Sequence, residues 1–137
     1  MRNFETFATS ADIGIRFRGP DFSSLYQNAV AGLNALLFGR AVVAPGKSSS
    51  RRFRFRGDST ENVLVNLLAE VLSLAYRRRR RVVAMDIFSA DEKVLDAGLR
   101  LAATGAVPEI DIKAVTYHGL RVSEKDGIKK ASVLFDV

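Results

Sequence analysis

The sequence predicts an α+β fold: a single domain over residues 1–137, with a mostly antiparallel sheet, or sheets, covered by two helices. Two stretches carry apolar residues at helical spacing, and they are separated and flanked by short alternating segments. The last third alternates throughout and is punctuated by turn residues, as antiparallel hairpins are. Strands and helices in this order place helices on one side of antiparallel strands.

"FETFATSADIGIRFRG" opens with a short strand, breaks at Thr9-Ser10 and resumes as a second strand. From residue 13 the alternation is clean: Ile13, Ile15 and Phe17 share one face, and Gly14, Arg16 and Arg18 the other. Gly19-Pro20 ends it. "DFSSLYQNAVAGLNALLFG" is the first helix, with Phe22, Leu25, Tyr26, Ala29, Leu33 and Leu36 in one stripe. Asp21 is its expected N-cap and Gly39 its expected C′ residue.

"APGKSSS" reads as a flexible loop, and "RRFRFRG" as a strand with Phe53 and Phe55 opposite Arg52, Arg54 and Arg56. "DSTENVLVNLLAEVLSLAY" is the second helix, where Asp58 and Glu61 have capping-box spacing. Leu64, Leu67, Leu68, Val71, Leu72 and Ala75 form its buried stripe. Arg77, Arg78, Arg79, Arg80 and Arg81 come next. Cations there suit the negative end of the helix dipole, but five exceed that need and make the run a candidate RNA or partner contact. The segments starting at Arg81, Lys93, Glu109, Leu120 and Ile128 all read as strands, with hairpin turns at Asp91-Glu92-Lys93 and Lys125-Asp126-Gly127.

Apolar residues make up 47% and charged residues 26%, which is ordinary for a soluble globular chain. No apolar run is long enough to span a bilayer, and the N-terminal segment alternates where a signal peptide would be continuously apolar. A cytoplasmic protein with no membrane partner is the expectation. Zero cysteines exclude disulfides and thiolate zinc sites. Any metal must therefore use oxygen ligands or the single histidine, His118, and oxygen ligands favour calcium or magnesium. The net charge of +6 permits a polyanionic partner without identifying one.

The chain ends in "SVLFDV", an apolar strand with Asp136 set inside it, next to the carboxylate of Val137. The pattern is that of a buried strand, and neighbouring anionic groups raise each other's pKa unless a cation neutralises them. "IKAVTYHGLRV" is the other unusual stretch: it alternates, yet carries Lys113, Thr116, Tyr117 and His118 together. A half-buried strand accommodates each of these with hydrogen bonds. No spacing supports a Ser–His–Asp triad, and there is neither a glycine-rich phosphate loop nor a His-x-x-x-His site.

Three ordered motifs, "SADIGI", "IKAVTYHGL" and the final "FDV", together with the helix "NVLVNLLAEVL", resemble the archease family over nearly the whole chain. The resemblance implies a protein cofactor, not an enzyme, that assists RtcB-type RNA ligases in tRNA splicing and RNA repair. Such a ligase attacks GTP with its own histidine, and the cofactor promotes that guanylylation and multiple turnover. The resemblance further implies a divalent metal, calcium with magnesium second, held by Asp12, Asp136 and Val137. Lys113 matches the motif lysine and is the candidate residue for ligase activation; without metal it is the best alternative cation for the carboxylates. Two features depart from the family pattern. Its His-Thr is Thr9-Ser10 here, and this chain is basic where family members are usually acidic.

Two other readings compete with the ligase cofactor. One is an RNA-binding module acting through an arginine-rich face, formed by Arg16, Arg18, Arg52, Arg54 and Arg56 with the Arg77–Arg81 run. In that reading Phe53 and Phe55 lie on the wrong side of their strand to stack on bases. The other is a small metal-dependent hydrolase built on Asp12 and Asp136, which lacks an evident general base.

Overall fold

The break at Thr9-Ser10 is a tight hairpin turn between β1 (Phe4–Ala8) and β2 (Ile13–Gly19). The structure, a computed structural model, describes residues 3–39, 48–105 and 107–137. In β2, Ile15 and Phe17 are buried while Arg16 is exposed, as the alternation requires. Asp21 caps α1 (Phe22–Phe38), its carboxylate accepting from the Ser24 amide at 2.7 Å. That donated bond holds the Asp21 carboxyl below its ordinary range. Gly39 ends the helix at φ 60°, a left-handed conformation that only glycine adopts without cost. The buried stripe runs through Leu25, Tyr26, Ala29, Leu33 and Leu37; Leu36 and Phe22 sit at its half-buried margin.

The expected loop at 44–50 divides in two. Residues 44–47 lie outside the described residues, whereas Ser48–Ser50 already belong to β3 (Ser48–Arg56). Serines are poor strand formers. Here they are strand because Ala102, Leu101 and Arg100 stand opposite them in the neighbouring strand. The cap of α2 (Thr60–Arg77) is Ser59, not Asp58, and its side chain accepts from the Asn62 amide at 3.1 Å. Asn62 returns the contact by accepting from the Asp58 amide at 3.3 Å, so the reciprocal cap forms one residue later than expected. Glu61 is thereby released to accept from the Val122 amide at 2.9 Å.

The arginine run turns a corner and does not form one face. Arg77 ends the helix, Arg78 is its C-cap, and Arg79 has φ 51°. Arg80 and Arg81 open β4 (Arg80–Ala90). Arg81 is half-buried with its guanidinium 5.0 Å from the Phe38 ring centroid, and burial lowers its pKa. It belongs to packing; Arg77 to Arg80 remain exposed.

Two antiparallel sheets result. The smaller runs in the order β3, β5 (Val94–Ala103), β4. The larger runs β1, β2, β8 (Ile128–Asp136), β6 (Ala114–Val115), with β7 (Ser123–Lys125) also pairing with β8. The β7–β8 hairpin turns on Asp126 and Gly127, at φ 54° and 78°. Two positive values are what a two-residue type I′ turn demands. The strand expected over residues 109–119 shrinks to Ala114–Val115. Both helices pack on the inner faces of the sheets around one core that includes Ile15, Leu33, Leu64, Leu67, Leu99 and Val133. Burial of such side chains, at about 25 cal/mol per Å², is the main stabilising term.

Candidate functional site

Residue pairing decides which motif residues meet. Ile13 pairs with Phe135, so Asp12 and Asp136 are the next positions outward on adjacent strands. On the other side of β8, Ala114 pairs with Asp136 and Val115 with Phe135. The Lys113 amide donates to the Asp136 carbonyl at 2.7 Å. The three motifs, far apart in sequence, therefore converge at one end of the five-stranded sheet.

Each is braced locally. Thr9 closes the hairpin: its amide donates to the Asp12 carbonyl at 2.8 Å, and its hydroxyl oxygen accepts from the amides of Asp12 at 2.9 Å and Ala11 at 3.2 Å. The residue that departs from the family pattern thus fixes the backbone of the aspartate it precedes. Gly14 lies between Phe7 and β8, and a Cβ there would meet the Val133 carbonyl oxygen at 2.4 Å and the Phe7 ring at 2.5 Å. Only glycine lets the strands close at this point.

The Lys113 segment is irregular but held from α2. The Tyr76 hydroxyl donates to the Ile110 carbonyl and accepts from the Ile112 amide at 3.0 Å. Ile112 is buried, which leaves Lys113 presented to solvent beside it. Further along, Asn62 donates to the Tyr117 hydroxyl at 2.6 Å. Sequence spacing singles out neither Tyr76 nor Thr9 as a bracing residue. Thr9 had a local signal, a hydroxyl three residues before Asp12 in a turn. Tyr76 had none, because its partners lie 34 and 36 residues away.

The chain end corrects the expected burial. Phe135 is 5% exposed, but Asp136 is exposed and Val137 is 60% exposed. Strand pairing ends there with no layer above it. Asp12 is also exposed. Among the described residues no three His, Cys, Asp or Glu side chains cluster as a metal set. Asp12, Asp136 and Lys113 are all exposed, and none forms an ion pair with a described residue. His118 lies in an exposed turn, its amide donating to the Thr116 hydroxyl at 3.3 Å.

The arginine-rich face of the smaller sheet is largely self-neutralised. Arg52 makes two bonds to Asp96, at 2.9 and 3.0 Å, and Arg54 lies 4.0 Å from the same carboxylate. Arg52 holds the Asp96 carboxyl below its ordinary range. Arg100 pairs with Asp86 at 3.2 Å. Phe53 and Phe55 stack on each other, with Phe55 buried in the core, as their strand face required. The aromatic on the outer face is Phe88, 59% exposed beneath the Arg52 guanidinium. It reaches that face at a β-bulge, which no residue pattern in the sequence marks.

A two-helix, two-sheet α+β protein whose exposed acidic and basic motif residues gather at one sheet end is the class that this fold and site define. The Archease protein family (MTH1598/TM1083) matches residues 4–137, and the chain belongs to that family. The protein archease of Thermoplasma volcanium is 31% identical over 98% of both chains. That of Methanothermobacter thermautotrophicus is 26% identical over the full length of both. Among solved structures, Methanobacterium thermoautotrophicum protein 1598 superposes with a TM-score of 0.72 at 22% identity over all of both chains. An archease from Thermotoga maritima, described as a possible chaperone, gives 0.66 at 18% identity, over 96% of this chain and 94% of that one. At these identities the two structures establish the fold. No helix among the described residues is long and apolar enough to cross a membrane.

Proposed function

We propose that this protein is a metal-binding cofactor of an RtcB-type RNA ligase, promoting ligase guanylylation and multiple turnover in tRNA splicing and RNA repair. It performs no chemistry of its own in this reading and acts in the cytoplasm. The observation that carries it is the convergence of the Asp12, Lys113 and Asp136 segments at one sheet end. Ile15, Ile112 and Phe135 of these motifs are buried while Asp12, Lys113 and Asp136 are exposed, which supports a surface prepared for a partner.

The donors at this end fit a hard cation. Asp12 and Asp136 supply carboxylate oxygens, Val137 a main-chain oxygen, and water would complete the shell of calcium or, second, magnesium. Lys113, held beside them by Tyr76, keeps a mobile ammonium free to reach the ligase or its nucleotide. The exposed Arg77–Arg80 stretch is a secondary candidate for partner or RNA contact.

The test is guanylylation of an RtcB-type ligase by GTP, with and without this protein. Wild type is expected to accelerate it, and Lys113→Ala to fold normally but stimulate poorly. No stimulation by wild type would reject the reading. A tag appended after Val137 should impair stimulation, whereas the same tag before Met1 should not.

A further inference from the structure

The outer face of the five-stranded sheet carries a second feature, separate from the Asp12–Asp136 end. Residues of β1, β2 and β8, with the 119–123 segment as a wall, enclose an open cavity of about 420 Å³. That is within the usual range for small-ligand sites, about 300–1,000 Å³. Ser132, on its floor, lies four residues before Asp136, about 13 Å along the strand.

Its lining is strongly basic. Arg16, Arg18, Arg121 and Lys130 contribute cations, and Glu5 the one carboxylate. Glu5 is already engaged, paired with Arg16 at 3.3 Å. Arg18 and Lys130 stand directly opposite each other in the β2–β8 register, with Ser123 opposite Lys130 on the far side. Like charges directly opposite destabilise a sheet. Lys130 and Arg121 form no ion pair with any described residue. The hydroxyls of Ser123 and Ser132 line the same space. Two cations without ion-pair partners, Lys130 and Arg121, lining one concavity with serine side chains are the recognition chemistry of a phosphate group.

We propose that this cavity binds a phosphate monoester of about mononucleotide size, the phosphate held by Lys130 and Arg121 between the Ser123 and Ser132 hydroxyls. Free nucleotides and the phosphorylated end of an RNA both present this group. The inference does not depend on the ligase reading, since it uses neither the metal end nor Lys113.

The test is calorimetric titration of the full chain with GMP, guanosine, and a short oligoribonucleotide with and without a terminal phosphate. GMP, the phosphorylated oligonucleotide, or both should bind, and the phosphate-free counterparts should bind at least about tenfold more weakly, a difference of about 1.4 kcal/mol. Binding of GMP alone would mark a free-nucleotide site, and binding of the oligonucleotide alone an RNA-end site. Lys130→Gln/Arg121→Gln should lose at least about tenfold in affinity with a melting temperature no lower than wild type. If the double variant does not fold, Arg121→Gln alone, outside any strand, serves. Equal binding of phosphate-free ligands, an unaffected folded variant, or no binding of either phosphorylated ligand at about 1 mM would overturn the proposal.

Discussion

The two sheets of this protein are built from the same materials and use them differently. Both are antiparallel, and both alternate buried apolar with outward basic residues. The three-stranded sheet closes its charges on itself: Asp96 takes Arg52 and Arg54, Asp86 takes Arg100, and Arg52 covers Phe88. The five-stranded sheet leaves Lys130, and the segment beside it Arg121, without ion-pair partners among the described residues. It also gathers Asp12, Lys113 and Asp136 at one end. Net basicity is therefore a poor guide to where this molecule meets others. A basic side chain is scaffold where a carboxylate lies within reach on the neighbouring strand, as Asp96 does for Arg52, and available where no described carboxylate does, as at Lys130.

The comparison is broken most severely by glycine substitution in the larger sheet. Gly14→Ala forces a Cβ against the Val133 carbonyl and the Phe7 ring, and should cost about 3 kcal/mol in urea denaturation. Next, Tyr76→Phe removes the hydroxyl that bridges Ile110 and Ile112. It should cost about 1–2 kcal/mol and accelerate amide exchange at Ile112, while leaving the smaller sheet protected.

Acid should act on the smaller sheet through Asp96 and on the α1 cap through Asp21. Both carboxyls lie below their ordinary value of 3.8 in the folded protein. The stability they contribute is thus present above pH 3.8 and is lost as pH falls through their lowered folded values, because the unfolded chain then binds more protons. The urea midpoint should therefore fall as the pH drops below the ordinary carboxylate value of 3.8, and Asp96→Asn should flatten part of that fall. The smallest effect is expected at Gly98→Ala, where the nearest atom a Cβ meets is the Phe88 ring edge at 3.6 Å. Stability should stay within about 0.5 kcal/mol of wild type. A loss there as large as at Gly14 would mean that the two sheets are equally constrained.

Much of this was legible in the sequence, because much of it is local. The β1–β2 break, both helices, the Asp21 cap, the Gly39 stop and the Asp126–Gly127 turn arise from residue types a few positions apart. The illegible parts depend on distant partners. Ser48–Ser50 became strand through β5, and residues 109–113 stayed irregular through Tyr76. Glu61 found Val122 instead of completing a cap with Asp58. The split into two sheets, the aspartates that neutralise the arginine face, and the exposure of Asp136 likewise arise only when strands are laid side by side. The motifs announced Asp12, Lys113 and Asp136; only pairing showed that they share one sheet end.

The most direct test of that sheet end as a metal site is a thermal melt in calcium against a melt in chelator, on wild type, Asp12→Ala and Asp136→Ala. With calcium about 100-fold above its Kd, one site stabilises the native state by about 2.7 kcal/mol, and wild type should melt roughly 10 °C higher than in chelator. Either variant should lose that difference while keeping its chelator melting temperature. A wild-type melt that calcium leaves unmoved, or a calcium shift that survives in both variants, would contradict the account.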